Sequence, residues 1–305
     1  MKALVFLLAF GAATAADLRI GIIGTDTSHA TAFTKVLHES SGVRVVAAFK
    51  GGSPDVESSR TRVDKFADEL RKSYGVEIVP DIPALLAKVD AVLLLSVDGR
   101  THLSQARQVI AARKPMFIDK PLASTLEDAR EIARLARTAG VPWFSSSSLR
   151  FGPFADSLKA ADVTGAVVWG PGPTEEHHEL ELTWYGIHSV ELLYTVMGSG
   201  CENVSMVSGK DADIVTGRWK DGRVGAVRLI RPYSDFGATV FRAKAIIQSD
   251  PKLAKVDYRP TLVRIVEFFR TGKPPVEEAE TLEIFAFMDA AQRSKAANGA
   301  TQPLR

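Results

Sequence analysis

Cysteine is almost absent from this chain. Cys201 is the single one among 305 residues, so no internal disulfide can staple the fold. It reads as a small buried hydrophobe. Stability must then come from a packed core. A content of 46% hydrophobic and 24% charged residues suits a soluble globular chain of one or two domains. An excess of one charge is also missing. The 38 Lys and Arg nearly balance 36 Asp and Glu, a formal net charge of +2. No basic stripe invites nucleic acid. A membrane-spanning run is lacking too. The apolar stretch Ala3–Phe10 in MKALVFLLAFGAATAADLR is too short for a stable transmembrane helix. With Lys2 before it and Ala13-Thr14-Ala15 after it, the stretch reads as a Sec-type signal peptide over residues 1–16. The chain is therefore expected to be exported, periplasmic or extracellular, without stable membrane insertion. No twin-Arg pair is present, so export is of the unfolded chain and any cofactor is acquired afterwards.

The next shortage is of glycine where a nucleotide-binding turn needs it. RIGIIGTDTSHATAF (Arg19–Phe33) reads as a buried strand, a turn and a helix. Such a turn normally has the pattern G-x-G-x-x-G. Gly24 matches the first position, but Asp26 and His29 stand at the second and third. A side chain at the second position blocks backbone approach to a pyrophosphate, and Asp26 adds a carboxylate. Thr25, Thr27 and Ser28 offer hydroxyls, and a helix N-terminus attracts anions. Asp26 or Thr27 can equally cap the helix that begins near Ser28.

What is plentiful is alternation. Strands are predicted at Leu18–Gly24, Val43–Phe49, Val76–Val79, Ala91–Ser96, Met116–Ile118 and Pro142–Ser145. Helices are predicted between them, including Arg60–Tyr74, His102–Ala112 and Leu126–Ala139, the last with Thr125 as N-cap and Gly140 as stop. This implies a parallel sheet with right-handed crossovers, whose ligands bind beyond the carboxyl ends of the strands. Gly24–His29, Lys50–Ser53, Ser96–His102 and Asp119–Pro121 should line one crevice. The second half predicts strands at Val167–Trp169, Val204–Ser208, Asp213–Trp219, Val224–Ile230 and Val240–Gln248. Helices are predicted at Trp184–Met197, Thr261–Arg270 and Glu280–Ala297. The expected fold class is α/β, with a doubly wound Rossmann domain at 17–145 and an α+β domain with a large open, mostly antiparallel sheet at 146–305.

At KPMFIDKPLA (Lys114–Ala123) the chain resembles the glucose–fructose oxidoreductase / inositol dehydrogenase / MocA family, here with Asp119-Lys120-Pro121 in place of Glu-Lys-Pro. SVDGRTHLSQA, SLRFGP and YGIHSVELLYTVMG extend the resemblance through His102, Arg150 and His188. The resemblance implies NAD(P)-dependent oxidation or reduction of a sugar or cyclitol, and homo-oligomers formed through the C-terminal sheet. It implies Lys120 and His188 as catalytic residues. The dinucleotide would be met by Gly24, Thr25, Asp26, Thr27, Ser28, His29, Lys50, Ser53, Ser96, His102, Asp119 and Lys120. Lys50 and Ser53 after the second strand suit a 2′-phosphate, which favours NADP over NAD; an ordinary solvated loop is the other reading. Where the family commonly has Asp four residues before the histidine, this chain has Trp184. Helical spacing would put Trp184 and His188 on one face, with Trp184 stacking on a sugar ring. Glu191 could orient the His188 imidazole.

Hydride transfer at a carbinol needs a base and a cation beside the oxygen, roles open to His188 and Lys120. Substrate contacts are expected from Arg150, His178, Trp184 and Tyr185, with Arg150 equally able to hold the domain interface. PTEEHHELELTWYGIH (Pro173–His188) matches no metal-ligand template, and a solvated loop facing the substrate is expected, with no metal. Two other functions remain open on sequence: a redox-neutral glycoside lyase or hydrolase with a tightly held cofactor, and a catalytically idle carbohydrate-binding protein.

Overall fold

The computed structural model describes residues 17–255 and 257–305. The expected signal peptide lies outside the described residues. The strands are β1 (Leu18–Ile23), β2 (Val43–Phe49), β3 (Glu77–Val79), β4 (Ala91–Leu94), β5 (Met116–Asp119), β6 (Trp143–Ser146), β7 (Val163–Pro171), β8 (Cys201–Ser208), β9 (Ala212–Trp219), β10 (Val224–Ile230), β11 (Gly237–Arg242), β12 (Ile246–Gln248) and β13 (Gln302–Pro303). The α-helices are α1 (Ser28–His38), α2 (Glu57–Arg60), α3 (Val63–Tyr74), α4 (Ile82–Leu86), α5 (His102–Ala111), α6 (Leu126–Ala139), α7 (Pro153–Leu158), α8 (Ile187–Met197), α9 (Arg259–Thr271) and α10 (Glu278–Ala296).

The first six strands form one parallel sheet in the order β3-β2-β1-β4-β5-β6. This is the doubly wound order, with its switch point between β1 and β4. The strands are buried on both faces, which is why they read as continuous apolar runs. Local chemistry sets the helix ends. The Thr125 hydroxyl accepts from Asp128 N–H at 3.0 Å, and Gly140 closes α6 in the left-handed region. The second sheet has the order β12-β11-β7-β10-β9-β8-β13, with β7 and β10 parallel and the remaining pairs antiparallel. Helices α8 and α10 cover one face of it. The division at residues 145 and 146 is crossed by α9, whose Leu262, Ile265 and Phe268 pack into the first sheet's core beside Phe33 and Phe144.

Three elements differ from expectation. The helix predicted from Arg60 is two pieces, α2 and α3, joined at Thr61 and Arg62. The Ser59 side chain is drawn inward to Asp26, and this tertiary contact breaks the local run. The strand predicted over Val240–Gln248 is a hairpin, turning where Arg242 N–H meets Ala245 O at 2.8 Å. The helix predicted from Trp184 begins at Ile187, because Gly186 stands at its N-terminus and Glu181–Thr183 is a 3-10 turn.

Candidate active site

The carboxyl ends of β1, β4, β5 and β6 open toward the second domain, as the sheet order requires. Gly24 has φ +93°, and a Cβ there would lie 2.3 Å from the Ser96 backbone nitrogen, so only glycine fits this crossing of β1 and β4. Thr27 then caps α1, accepting from His29 N–H at 3.3 Å. At the end of β5, Lys120 lines the cleft, Asp119 beside it is buried against His29, and the Lys120–Pro121 peptide is cis. A cavity of about 360 Å³ lies here. Its lining includes Thr27, Ser28 and His29 from the first turn, Arg62 and Lys120, Ser147 at the end of β6, and Trp184, Tyr185 and His188 from the second domain.

The Lys120 ammonium lies 5.5 Å from the centre of the Tyr185 ring, a cation–π distance. Burial pushes its amine below the ordinary lysine value, Asp119 opposes this, and Arg62 adds to it. His188 Nδ1 is 2.7 Å from Ser147 Oγ. Burial, followed by the positive field of Lys120, holds its imidazole well below the ordinary histidine value, so it is neutral at physiological pH. His29 Nδ1 lies 2.5 Å from Asp119 Oδ2. Burial works against the Asp119 charge, but His29 and Lys120 together keep the carboxyl below its usual range.

Other expected contacts are turned away from the cavity. Thr25 Oγ1 donates to Val63 O at 2.9 Å. Asp26 is fully buried, accepting from Ser59 Oγ at 2.6 Å and Val97 N–H at 3.2 Å. Lys50 pairs with Asp64 at the surface, and Ser53 Oγ donates to the buried Asp98 at 2.6 Å. Ser96 Oγ donates to Gln105 at 3.0 Å. His102 is buried between Ser96 O at 2.7 Å and Leu122 O at 3.2 Å and supports the two loops. Arg150 does not reach substrate space. Its guanidinium spans Glu191 at 3.2 Å and Glu280 at 2.6 Å inside the molecule. His178 is likewise internal, with Nε2 3.2 Å from Asp98 and Nδ1 3.1 Å from Thr183 Oγ1. Glu191 does not touch the His188 ring. It accepts from Ser147 N–H at 2.8 Å, so it supports the residue that holds the ring.

The Glu- and His-rich loop does not converge. His177 pairs with Glu175 at 2.7 Å, His178 with Asp98, and Glu181 with Lys295 at 2.5 Å. No group of three or more metal-ligating side chains occurs among the described residues. Sequence reasoning missed Ser147, Arg62, Phe236 and Tyr258 as lining residues. Ser147 had a signal, a serine run at the end of a strand. Tyr258 and Phe236 come from irregular segments with no motif.

A dinucleotide placed in this crevice would meet two different environments. Around the cavity, the α1 N-terminus, Arg62 and Lys120 fit a phosphate and a reacting ring. Between the ends of β1, β2 and β4 the crevice is filled by Asp26, Ser59, Ser53 and Asp98. An adenosine would have to displace the segment Ser53–Arg62 to enter there.

Fold and site together define an α/β protein with a doubly wound Rossmann sheet and a second, mostly antiparallel sheet, with a lysine and two histidines gathered at the strand ends. Residues 18–147 match the GFO_IDH_MocA family, described as an oxidoreductase family with an NAD-binding Rossmann fold. Over 157 residues the chain is 36% identical to inositol 2-dehydrogenase of Paracoccus denitrificans (strain Pd 1222), covering 49% of this chain and 43% of that protein. The chain thus matches less than half the length of this curated relative. A probable dehydrogenase from Thermotoga maritima superposes with a TM-score of 0.78 at 21% identity, over 94% of this chain and 99% of that one. The myo-inositol dehydrogenase from Lactobacillus casei, in complex with NAD(H) and myo-inositol, gives 0.74 at 17% identity, over 95% and 97%. These two likenesses are of fold.

Proposed function

We propose that the chain is an oxidoreductase acting on a carbinol carbon of a cyclitol or sugar derivative, with a nicotinamide dinucleotide as partner. The observation that carries this is Lys120, an amine of lowered basicity at the end of β5, facing Trp184, Tyr185 and His188 across one cavity. When bound, the nicotinamide supplies the two-electron acceptor or donor. Lys120 stabilises negative charge developing on the carbinol oxygen. His188 meets the same oxygen. Trp184 and Tyr185 offer ring faces to the apolar side of a polyol ring. Lys50 and Ser53 are engaged elsewhere, so nothing in their contacts supports a preference for NADP.

Two further parts of the reading rest on other observations. The N-terminal sequence supports export, which N-terminal sequencing of the secreted or periplasmic chain tests. The uncovered face of the second sheet supports a homo-oligomer. The rows Val167–Ala226–Thr216 and Val207–Ile214–Arg228 lie on that face, with Val207 67% and Val224 54% exposed. The enzymatic reading is tested by following nicotinamide absorbance with inositols and sugars as substrates. Turnover that disappears in Lys120→Met supports it; no turnover with any polyol and either dinucleotide removes it.

A further inference from the structure

We propose that His29, held by Asp119, takes the hydroxyl proton in this cavity, while His188 is fixed in the opposite tautomer as a hydrogen-bond donor. This rests on the reading of the cavity as a carbinol-oxidising site.

The assignment follows from counting donors and acceptors. Asp119 is an ionised carboxylate and can only accept. Its Oδ1 takes the Lys120 backbone N–H at 2.9 Å, and its Oδ2 faces His29 Nδ1. The proton between them therefore belongs to Nδ1, and in the neutral ring the lone pair is then on Nε2. The ring cannot easily turn. It stacks on Phe33 with centroids 4.8 Å apart and meets the edge of Tyr258 at 4.9 Å. Its side chain retains 14% exposure, and it lines the cavity.

His188 has a different neighbour. Ser147 Oγ accepts Leu149 N–H at 3.2 Å, and its own proton has one acceptor among the described residues, His188 Nδ1 at 2.7 Å. The hydroxyl donates, Nδ1 accepts, and the single proton of the neutral His188 ring sits on Nε2. Facing these two rings are Asp119, Lys120, Arg62, Tyr185 and Tyr258. None of them offers His188 Nδ1 a carboxylate.

In the oxidation, the carbinol O–H proton passes to His29 Nε2. The C–H hydrogen leaves with its electron pair to an oxidised nicotinamide, and the C–O single bond becomes C=O. His29 ends as an imidazolium beside Asp119, while Lys120 and His188 Nε2–H donate to the oxygen. The carboxylate partner that the second domain lacks at Trp184 is thus supplied to a different histidine, on the first domain.

The direct test needs neither cofactor nor substrate. Protein labelled with 15N-histidine is examined at pH 8 by long-range 1H–15N correlation, with rings assigned through His29→Gln and His188→Gln. We expect His29 as the Nδ1–H tautomer and His188 as the Nε2–H tautomer. His29 carrying its proton on Nε2, or on both nitrogens, overturns the proposal, as does His188 protonated on Nδ1. In enzyme that oxidises a polyol, His29→Gln should lower kcat by about 100-fold or more and abolish the acid limb of its pH profile. His188→Gln should raise KM and keep that limb. A wild-type pH profile retained in His29→Gln also overturns it. Wild-type protein that turns over no polyol defeats the oxidoreductase reading instead, and the tautomers still decide the assignment of the two rings.

Discussion

At the scale of single residues, the proposed function assigns Lys120 the charge beside a developing alkoxide. Lys120→Met keeps the stem and removes the charge. We expect kcat to fall between about 100- and 10,000-fold with the melting temperature little changed, read by steady-state kinetics and thermal denaturation. Asp26 gives a pH-dependent test. Burial raises its carboxyl above the ordinary value, against the pull of Ser59 and Val97 N–H, and no cation pairs with it among the described residues. Its protonation therefore favours the folded state, and stability is lost as pH rises through the folded value. Asp26→Asn should add about 1 kcal/mol at pH 7. The gain over wild type should vanish below the unfolded carboxylate value, near pH 4, in melts at both pH values. Lys120 and His188 were legible in the sequence because a lysine after a buried strand and a histidine in a motif carry a local signal. His178 was misplaced, and Arg150 was left open between substrate and an internal ion pair, for the opposite reason. Their partners, Asp98 and the pair Glu191 and Glu280, lie far along the chain, and no spacing rule reports them.

The element that most distinguishes this crevice is the segment Ser53–Arg62. It ties back through Ser59 to Asp26, through Ser53 to Asp98, and by Thr25 Oγ1 to Val63 O just beyond it. In the proposed function the adenosine of a dinucleotide enters this crevice, so its binding would compete with these contacts. Ser59→Ala removes one latch, a hydrogen bond to a carboxylate worth about 1 kcal/mol net. Its dinucleotide Kd should tighten about fivefold, and amides of residues 53–62 should exchange faster on binding. Weaker binding in Ser59→Ala would contradict the competition. The regular strands and α6 were readable because burial pattern and caps agree. The break between α2 and α3 and the β11–β12 hairpin were not. The first is imposed by Asp26 from another loop. The second turns at Ala243 and Lys244, without glycine or asparagine to mark it.

For the whole molecule, two features set the architecture. Helix α9 returns from the second half to close the first core, so the two domains are expected to unfold together. The second sheet leaves one face uncovered, with Val167, Val207, Ile214 and Val224 upon it. If copies pair through this face, Val224→Lys combined with Ile214→Lys should reduce the sedimenting mass to that of a monomer without loss of secondary structure. The parallel sheet and its crevice were legible from strand order alone. The filling of half that crevice was not, because it depends on which side chains meet across loops. One measurement weighs most directly on the central claim: calorimetric titration of the chain beginning at Asp17 with NAD+ and NADP+, followed by inositols in the presence of whichever binds. Saturable dinucleotide binding with nicotinamide reduction that needs Lys120 is the expected result; no binding at millimolar dinucleotide would contradict it.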